Sequence, residues 1–439
     1  MRVHSARAAA CAFLALAVAP TAASIQEGGT RADGQTGDGS ALPGDAVVAT
    51  DGVEWQTLAD NLFVSGERGI ADPGKVEPEP RNVMKLGPVT LLPKWDEEVM
   101  YDDNVFLTES DEEDDFILRS RLALLADWQI GSSGHRLTGG WDMLRNWFMG
   151  GEARNFVENL ASAQLDLNFR HLRISAGDRW EDRTDPILAV FTGKIERTIN
   201  TAYGTVGWHT DSRYAEAKAQ GITTEYDDAS FQGFDRDEQL AHGEFGWLAQ
   251  DDLWAFVRAG VIARKFDQNQ LNDMSGQTVS GGFRFRRAPE WDASLRVGVR
   301  VENFDDTVAT DDHDHALNPE VEGRALWWPT RRDGVDLRVV HTTEFSPVSN
   351  YEILDRVEIG WTRALTGRVR SRAGMGFERV DPSDVADTFW RYSLGAGATW
   401  RVREFVDVTF NWRIRIRATD VPNGDYTGNQ VSLGIAVRL

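Results

Sequence analysis

The 439-residue chain is poor in the devices that would place it in the commonest classes. It has one cysteine, Cys11, so no disulfide can form within it. Cys11 sits inside the apolar run 8–19 near the start and reads there as one more small apolar residue. Long hydrophobic runs are missing as well. No segment approaches the roughly 18 apolar residues of a membrane-spanning helix. Positive charge is in deficit, with 47 Lys and Arg against 69 Asp and Glu, a net charge of −22. A nucleic-acid partner would want a basic face, so that class is set aside. Mean hydropathy is −0.40, which alone would suggest a water-soluble protein. A transmembrane β-barrel escapes that test, because its lipid-facing and lumen-facing residues alternate and average out.

The first residues have the order of a secretory signal peptide. Arg2 and Arg7 precede the apolar run, and the small residues Thr21, Ala22, Ala23 and Ser24 follow it. Residues 1–23 are expected to be that peptide. Residues 24–88 are rich in Gly, Pro, Asp and Thr and read as a mostly irregular periplasmic extension. Trp55, Leu58 and Leu62 lie at helical spacing within it. Folding of this stretch into a barrel as a plug is the alternative.

From residue 89 onward the texture becomes strict alternation. Leu122, Leu124, Ala126 and Trp128 interleave with Arg121, Ala123, Leu125 and Asp127. Val297, Val299 and Val301 interleave with Arg296, Arg300 and Glu302. Phe410, Trp412, Ile414 and Ile416 interleave with Asn411, Arg413, Arg415 and Arg417. Successive side chains of a strand point to opposite faces, so each such strand has one apolar and one polar face. The segments are long enough to cross an apolar band, which takes roughly 9–11 residues.

The connections alternate too. Tight turns are expected near 131–135, 170–171, 211–213, 249–252, 287–290, 330–334, 364–367 and 402–404. Longer loops are expected near 108–115, 149–154, 183–194, 227–238, 267–275, 305–314, 347–350, 381–387 and 419–426; the connection at 347–350 is the short one of this set. Eight turns and nine loops predict about eighteen antiparallel strands over 89–439, with both ends on the short-turn, periplasmic side. Trp128, Trp208, Trp247, Trp291, Trp327, Trp361 and Trp400 all fall close to the short turns, as an aromatic girdle at one interface would. A soluble propeller or sandwich would have shorter strands, of about 5–6 residues. The fold class is therefore all-β, a transmembrane barrel in the outer membrane, surrounded by lipid and lipopolysaccharide.

Tyr101-Asp102-Asp103-Asn104-Val105-Phe106, near the first strand, resembles the β-barrel porin-2-like outer-membrane proteins, as do Thr184-Asp185-Pro186, Arg197 and Asn200. The resemblance covers about residues 89–439. It implies an outer-membrane component of exopolysaccharide production or export, with polysaccharide and periplasmic export components as partners. It brings no catalytic residues or cofactor with it.

The polar face carries the candidate chemistry. Arg119, Arg121, Arg296, Arg300, Arg370, Arg413, Arg415 and Arg417 share it. Guanidinium groups bind carboxylates and sulfates in a bidentate way and would favour anions in a pore. The competing reading is that they pair with lumen carboxylates such as Glu302, Glu320, Glu322 and Glu358. The loops are acidic at 109–115 and 305–314. Asp311, Asp312, His313, Asp314 and His315 have no zinc- or calcium-loop spacing, so they read as a solvated surface and no metal is expected. No GxSxG elbow is present, and a hydrolase is the least favoured reading. The expected function is a passive conduit for exopolysaccharide or another anionic solute. A general diffusion porin is the alternative; an inward-folding constriction loop would favour it, and the longest loops, 183–194 and 227–238, are modest candidates.

Overall fold

The computed structural model describes residues 84–438, apart from short connecting segments at 106, 108, 110–111, 132–133, 151–154, 186–194, 269–271, 288–289, 306–314, 347–348, 384–387 and 420–423. The expected signal peptide, the extension up to residue 83 and the acidic stretch Asp311–Asp314 lie outside the described residues.

A three-residue strand, β1 (Met84–Leu86), comes before the barrel. It turns back at Gly87, whose φ of 62° suits glycine, and pairs with the foot of the next strand. Structure thus begins a few residues before 89, as a short hairpin. The wall is then β2 (Val89–Asp102), β3 (Asp115–Ile130), β4 (His135–Phe148), β5 (Phe156–Asn168), β6 (Leu172–Asp185), β7 (Ile195–His209), β8 (Arg213–Tyr226), β9 (Arg236–Gln250) and β10 (Leu253–Phe266). It continues as β11 (Met274–Arg287), β12 (Trp291–Phe304), β13 (His315–Trp327), β14 (Asp333–Glu344), β15 (Glu352–Ala364), β16 (Val369–Pro382), β17 (Phe389–Arg403), β18 (Val406–Thr419) and β19 (Tyr426–Arg438). Every strand pairs antiparallel with its sequence neighbours, and β19 closes onto β2 from Gln430↔Asp102 to Arg438↔Lys94. The result is a closed barrel of eighteen strands, β2 to β19, with no free edge.

The phase read from the sequence holds. Leu122, Leu124, Val297, Val299 and Phe410 are among the exposed large hydrophobics on the outside, while Arg300, Arg413, Arg415 and Arg417 are buried on the inside. All seven tryptophans near the short turns are 37–52 % exposed, so they form an outward ring at that end. The core is consequently inverted: apolar side chains face out, and ion pairs and hydrogen bonds hold the inside.

Candidate functional site: the lumen and its constriction

The shortest ladder in the wall lies between β13 and β14. Neighbouring strands pair over most of their lengths, yet β13 and β14 pair only from Val321↔His341 to Trp327↔Val335. The first residues of β13, His315 to Glu320, have no backbone partner on β14. Pro319, which lacks a backbone donor, stands in this unpaired stretch, where a proline costs no ladder bond. β14 remains paired with β15 up to Glu344↔Glu352, and β15 with β16 up to Glu352↔Pro382, so the wall opens only at the β13–β14 seam, below the tip that joins β14 to β15.

The tip turns inward. Side chains stand in for the lost ladder: Arg300 Nη1 donates to the Thr343 carbonyl at 2.8 Å, and Asn318 Nδ2 donates to Thr343 Oγ1 at 3.0 Å. Phe345 is 2 % exposed and packs on Phe266 with ring centroids 5.8 Å apart. Phe266 belongs to β10, four strands away around the wall and therefore about 19 Å along it at ~4.8 Å per strand. Such contact requires the tip to cut across the lumen. Tyr351 stacks on Phe304 of β12 at 5.8 Å, and Asn272 Nδ2 donates to Asn350 Oδ1 at 3.0 Å. Phe345, Asn350 and Tyr351, at the two ends of the connection that the sequence presents as the shortest outside loop, thus reach into the lumen and narrow it. The longer loops were the better sequence candidates, but loop length is no guide when the strands themselves bend.

Beneath the tip the lumen arginines are locked. Glu238 is shared by Arg236 (3.0 Å) and Arg264 (3.2 Å), and both guanidiniums lie over the Phe345 ring, at 4.5 and 4.9 Å. A desolvated cation–π contact contributes about 2 kcal/mol. Arg300 holds Glu320 at 2.6 Å, and Arg296 holds Glu322 at 2.8 Å and Glu320 at 3.4 Å. Arg356 and Arg391 share Glu378, at 2.7 and 3.1 Å. Arg415 reaches Asp102 at 3.4 Å. Arg413 and Arg417 are buried in the same wall, and Arg417 lies 4.6 Å over Phe389.

The opposite wall is wetter. Arg119 meets Glu98 at 3.5 Å, and Arg121 forms a bidentate pair with Asp142. Their side chains are 25 % and 37 % exposed, against 6 % for Arg300 and 4 % for Arg415. Of the eight arginines singled out in the sequence, Arg119 and Arg121 are therefore open to water, while Arg296 and Arg370 are half-buried. Arg370 has no ion pair or hydrogen bond among the described residues. The inner wall is open on β6 as well, where the Arg173 and Arg179 side chains are 37 % and 44 % exposed. No group of three metal-ligating side chains occurs among the described residues.

The Tyr101-Asp102-Asp103-Asn104 motif has a structural job. Buried Asp102 accepts from Gln430 Nε2 at 2.6 Å, from Arg415 and from the Asn104 amide at 3.2 Å. Asp103 accepts from the Asn429 amide at 2.5 Å and its Nδ2 at 2.7 Å. The motif fastens the first strand to the last.

Among curated proteins none matches the chain. Solved barrels resemble it distantly. OccK2 (OpdF) of Pseudomonas aeruginosa is 10 % identical, with 80 % of this chain and 98 % of that one covered and a TM-score of 0.46. OmpT of Vibrio cholerae is 11 % identical, with 82 % and 100 % covered and a TM-score of 0.37. The FrpB iron transporter of Neisseria meningitidis is 8 % identical, with 83 % of each covered and a TM-score of 0.46. At such scores these likenesses say nothing about cargo. The family model described as "Putative beta-barrel porin 2" matches residues 83–439, the whole barrel, and the chain belongs to that family of outer-membrane β-barrel porins.

Proposed function

We propose that this porin is a passive, non-enzymatic conduit for an extended polysaccharide or another anionic solute. The observation that carries the reading is the charge of one inner wall. Inward positions of β16–β18 hold Arg370, Arg372, Arg391, Arg401, Arg413, Arg415 and Arg417, against the carboxylates Glu378 and Asp407. Such a cationic wall beside a hydrated path favours anions and gives weak, repeated contacts, which conduction needs for both admission and release. Periplasmic export components would deliver a polymer to the short-turn mouth. The acidic outer loops act only at exit.

The test is electrical. In planar bilayers the wild-type reversal potential should show anion preference, and Arg370→Gln, at the arginine with no ion pair among the described residues, should lower it. Unchanged selectivity would mean that this wall is neutralised by its carboxylates. The inward tip favours a second reading, a general diffusion porin, because a narrowed lumen sorts small solutes by size. A deletion strain separates the two: loss of surface or secreted polymer with an unchanged repeat unit supports the conduit, and intact polymer supports the general porin.

A further inference from the structure

The outer wall of the barrel has two textures. On β10–β12 the outward positions are large and apolar, with Val257, Val261, Val279, Leu295, Val297 and Val299 all exposed. On β5–β9 the same outward register holds Ala163, Ala176, Ala202, Gly204, Ala217 and Gly243. These small residues make a shallow floor up to the height of Asp178; above it Trp180 stands outward on β6, 38 % exposed, between Asp178 and Asp182. β4, which borders the floor, bears a ridge: Trp141 and Trp147 point outward and are 39 % and 42 % exposed.

Charge supplies an independent observation. Asp178 stands at the middle of β6, facing outward between Ala163 and Ala202, and it is exposed. Among the described residues its one hydrogen bond comes from Asn200 Nδ2 at 3.2 Å. Acyl chains cannot solvate a carboxylate at that depth, so something other than lipid should cover it. Asp182 faces outward on the same strand, nearer the long loops. The ridge carries the opposite sign. Arg145 lies 4.1 Å over the Trp147 ring and makes no ion pair among the described residues. Arg145 is opposite Val157 and Asp182 is opposite Asn159, so the two charges flank β5 at nearly the same height.

We propose that the β4 ridge of one copy of this chain seats on the β5–β9 floor of a second copy, with Arg145 beside the partner subunit's Asp182. Copies in one membrane are related by rotation about its normal, which keeps every residue at its own height. A cation and a carboxylate at matched heights on neighbouring strands are then complementary, as a closed homo-oligomer demands. Small residues permit the close approach. An anionic lipid headgroup fits worse, because Asp178 and Asp182 would repel it.

The experiment counts barrels per phospholipid nanodisc by native mass spectrometry, with heat-modifiable gel mobility as the check of folding. The wild type should give more than one barrel. Ala202→Trp, which fills the floor, and Asp182→Arg, which opposes Arg145, should each give folded monomers. The double variant Arg145→Asp with Asp182→Arg should restore the oligomer. A monomeric wild type, in discs with and without lipopolysaccharide, overturns the proposal. So does an oligomer that survives both single substitutions. A double variant that stays monomeric overturns the Arg145–Asp182 contact.

Discussion

At the residue scale, the inside of this barrel behaves like a core made of charges. Asp102 shows what that implies. It satisfies Arg415, Gln430 and the Asn104 amide at the closing seam, so Asp102→Ala would leave the Arg415 guanidinium buried and uncompensated. Breaking a buried pair from one side costs about 3–5 kcal/mol. The variant should assemble poorly, with an earlier urea midpoint by intrinsic fluorescence, while Asp102→Asn should retain part of the loss. The same logic sets Arg300→Val beside Val299→Arg, which places an arginine in the lipid band. The lipid-facing arginine costs about 2–4 kcal/mol. Arg300, however, holds Glu320 at 2.6 Å and the Thr343 carbonyl at 2.8 Å, so its loss should cost about as much, roughly 3–5 kcal/mol. Paired unfolding curves of the two variants decide this; a near-silent Arg300→Val would show that the network repacks. The motif around Asp102 was visible in the sequence, but its role was not, because its partner Asn429 lies 326 residues away along the chain.

At the element scale, the alternation of apolar and charged residues made the strands and their facing legible, since phase is a local property. What the lumen arginines touch was not legible, because it depends on β14 parting from β13 and on the tip beyond it reaching inward. The sequence did carry two traces of that opening: Pro319 sits within a segment that otherwise reads as a strand interior, and the connection at 347–350 reads as shorter than the other outside loops. Neither says inward rather than outward. The bend follows from what the tip gains, namely Phe345 clamped by two guanidiniums and Phe266, and Tyr351 on Phe304. Phe345→Ala should therefore loosen the constriction and raise single-channel conductance in planar bilayers. A cysteine pair at Asn272 and Asn350, whose side chains already meet at 3.0 Å, should hold the tip in place when oxidised. If the tip is the constriction, the oxidised channel conducts as the wild type does and loses slow gating steps; higher conductance on oxidation would place the narrowing elsewhere.

At the scale of the whole molecule, the rhythm of the connections carried the topology. Short turns and long loops alternate because one end of the barrel closes its hairpins tightly at the tryptophan ring, while the other builds outward. The structure has its short connections at 131–134, 169–171, 210–212, 251–252, 288–290, 328–332, 365–368 and 404–405, and its longer ones between them. β2 begins and β19 ends on the short-turn side, which an even number of strands requires. That side should be periplasmic, since short turns and the preceding chain belong there. The connection between β2 and β3, residues 103–114, should then face the cell exterior. An epitope inserted after Glu109 should be stained by antibody on intact cells. The same epitope inserted at Arg331, in the turn between β13 and β14, should stain only after the outer membrane is permeabilised. The insertions sit at opposite ends of the same wall, so a barrel of eighteen strands must give opposite results for them. Staining of both on intact cells would refute the closed wall between them, and the reverse pattern would invert the barrel in the membrane.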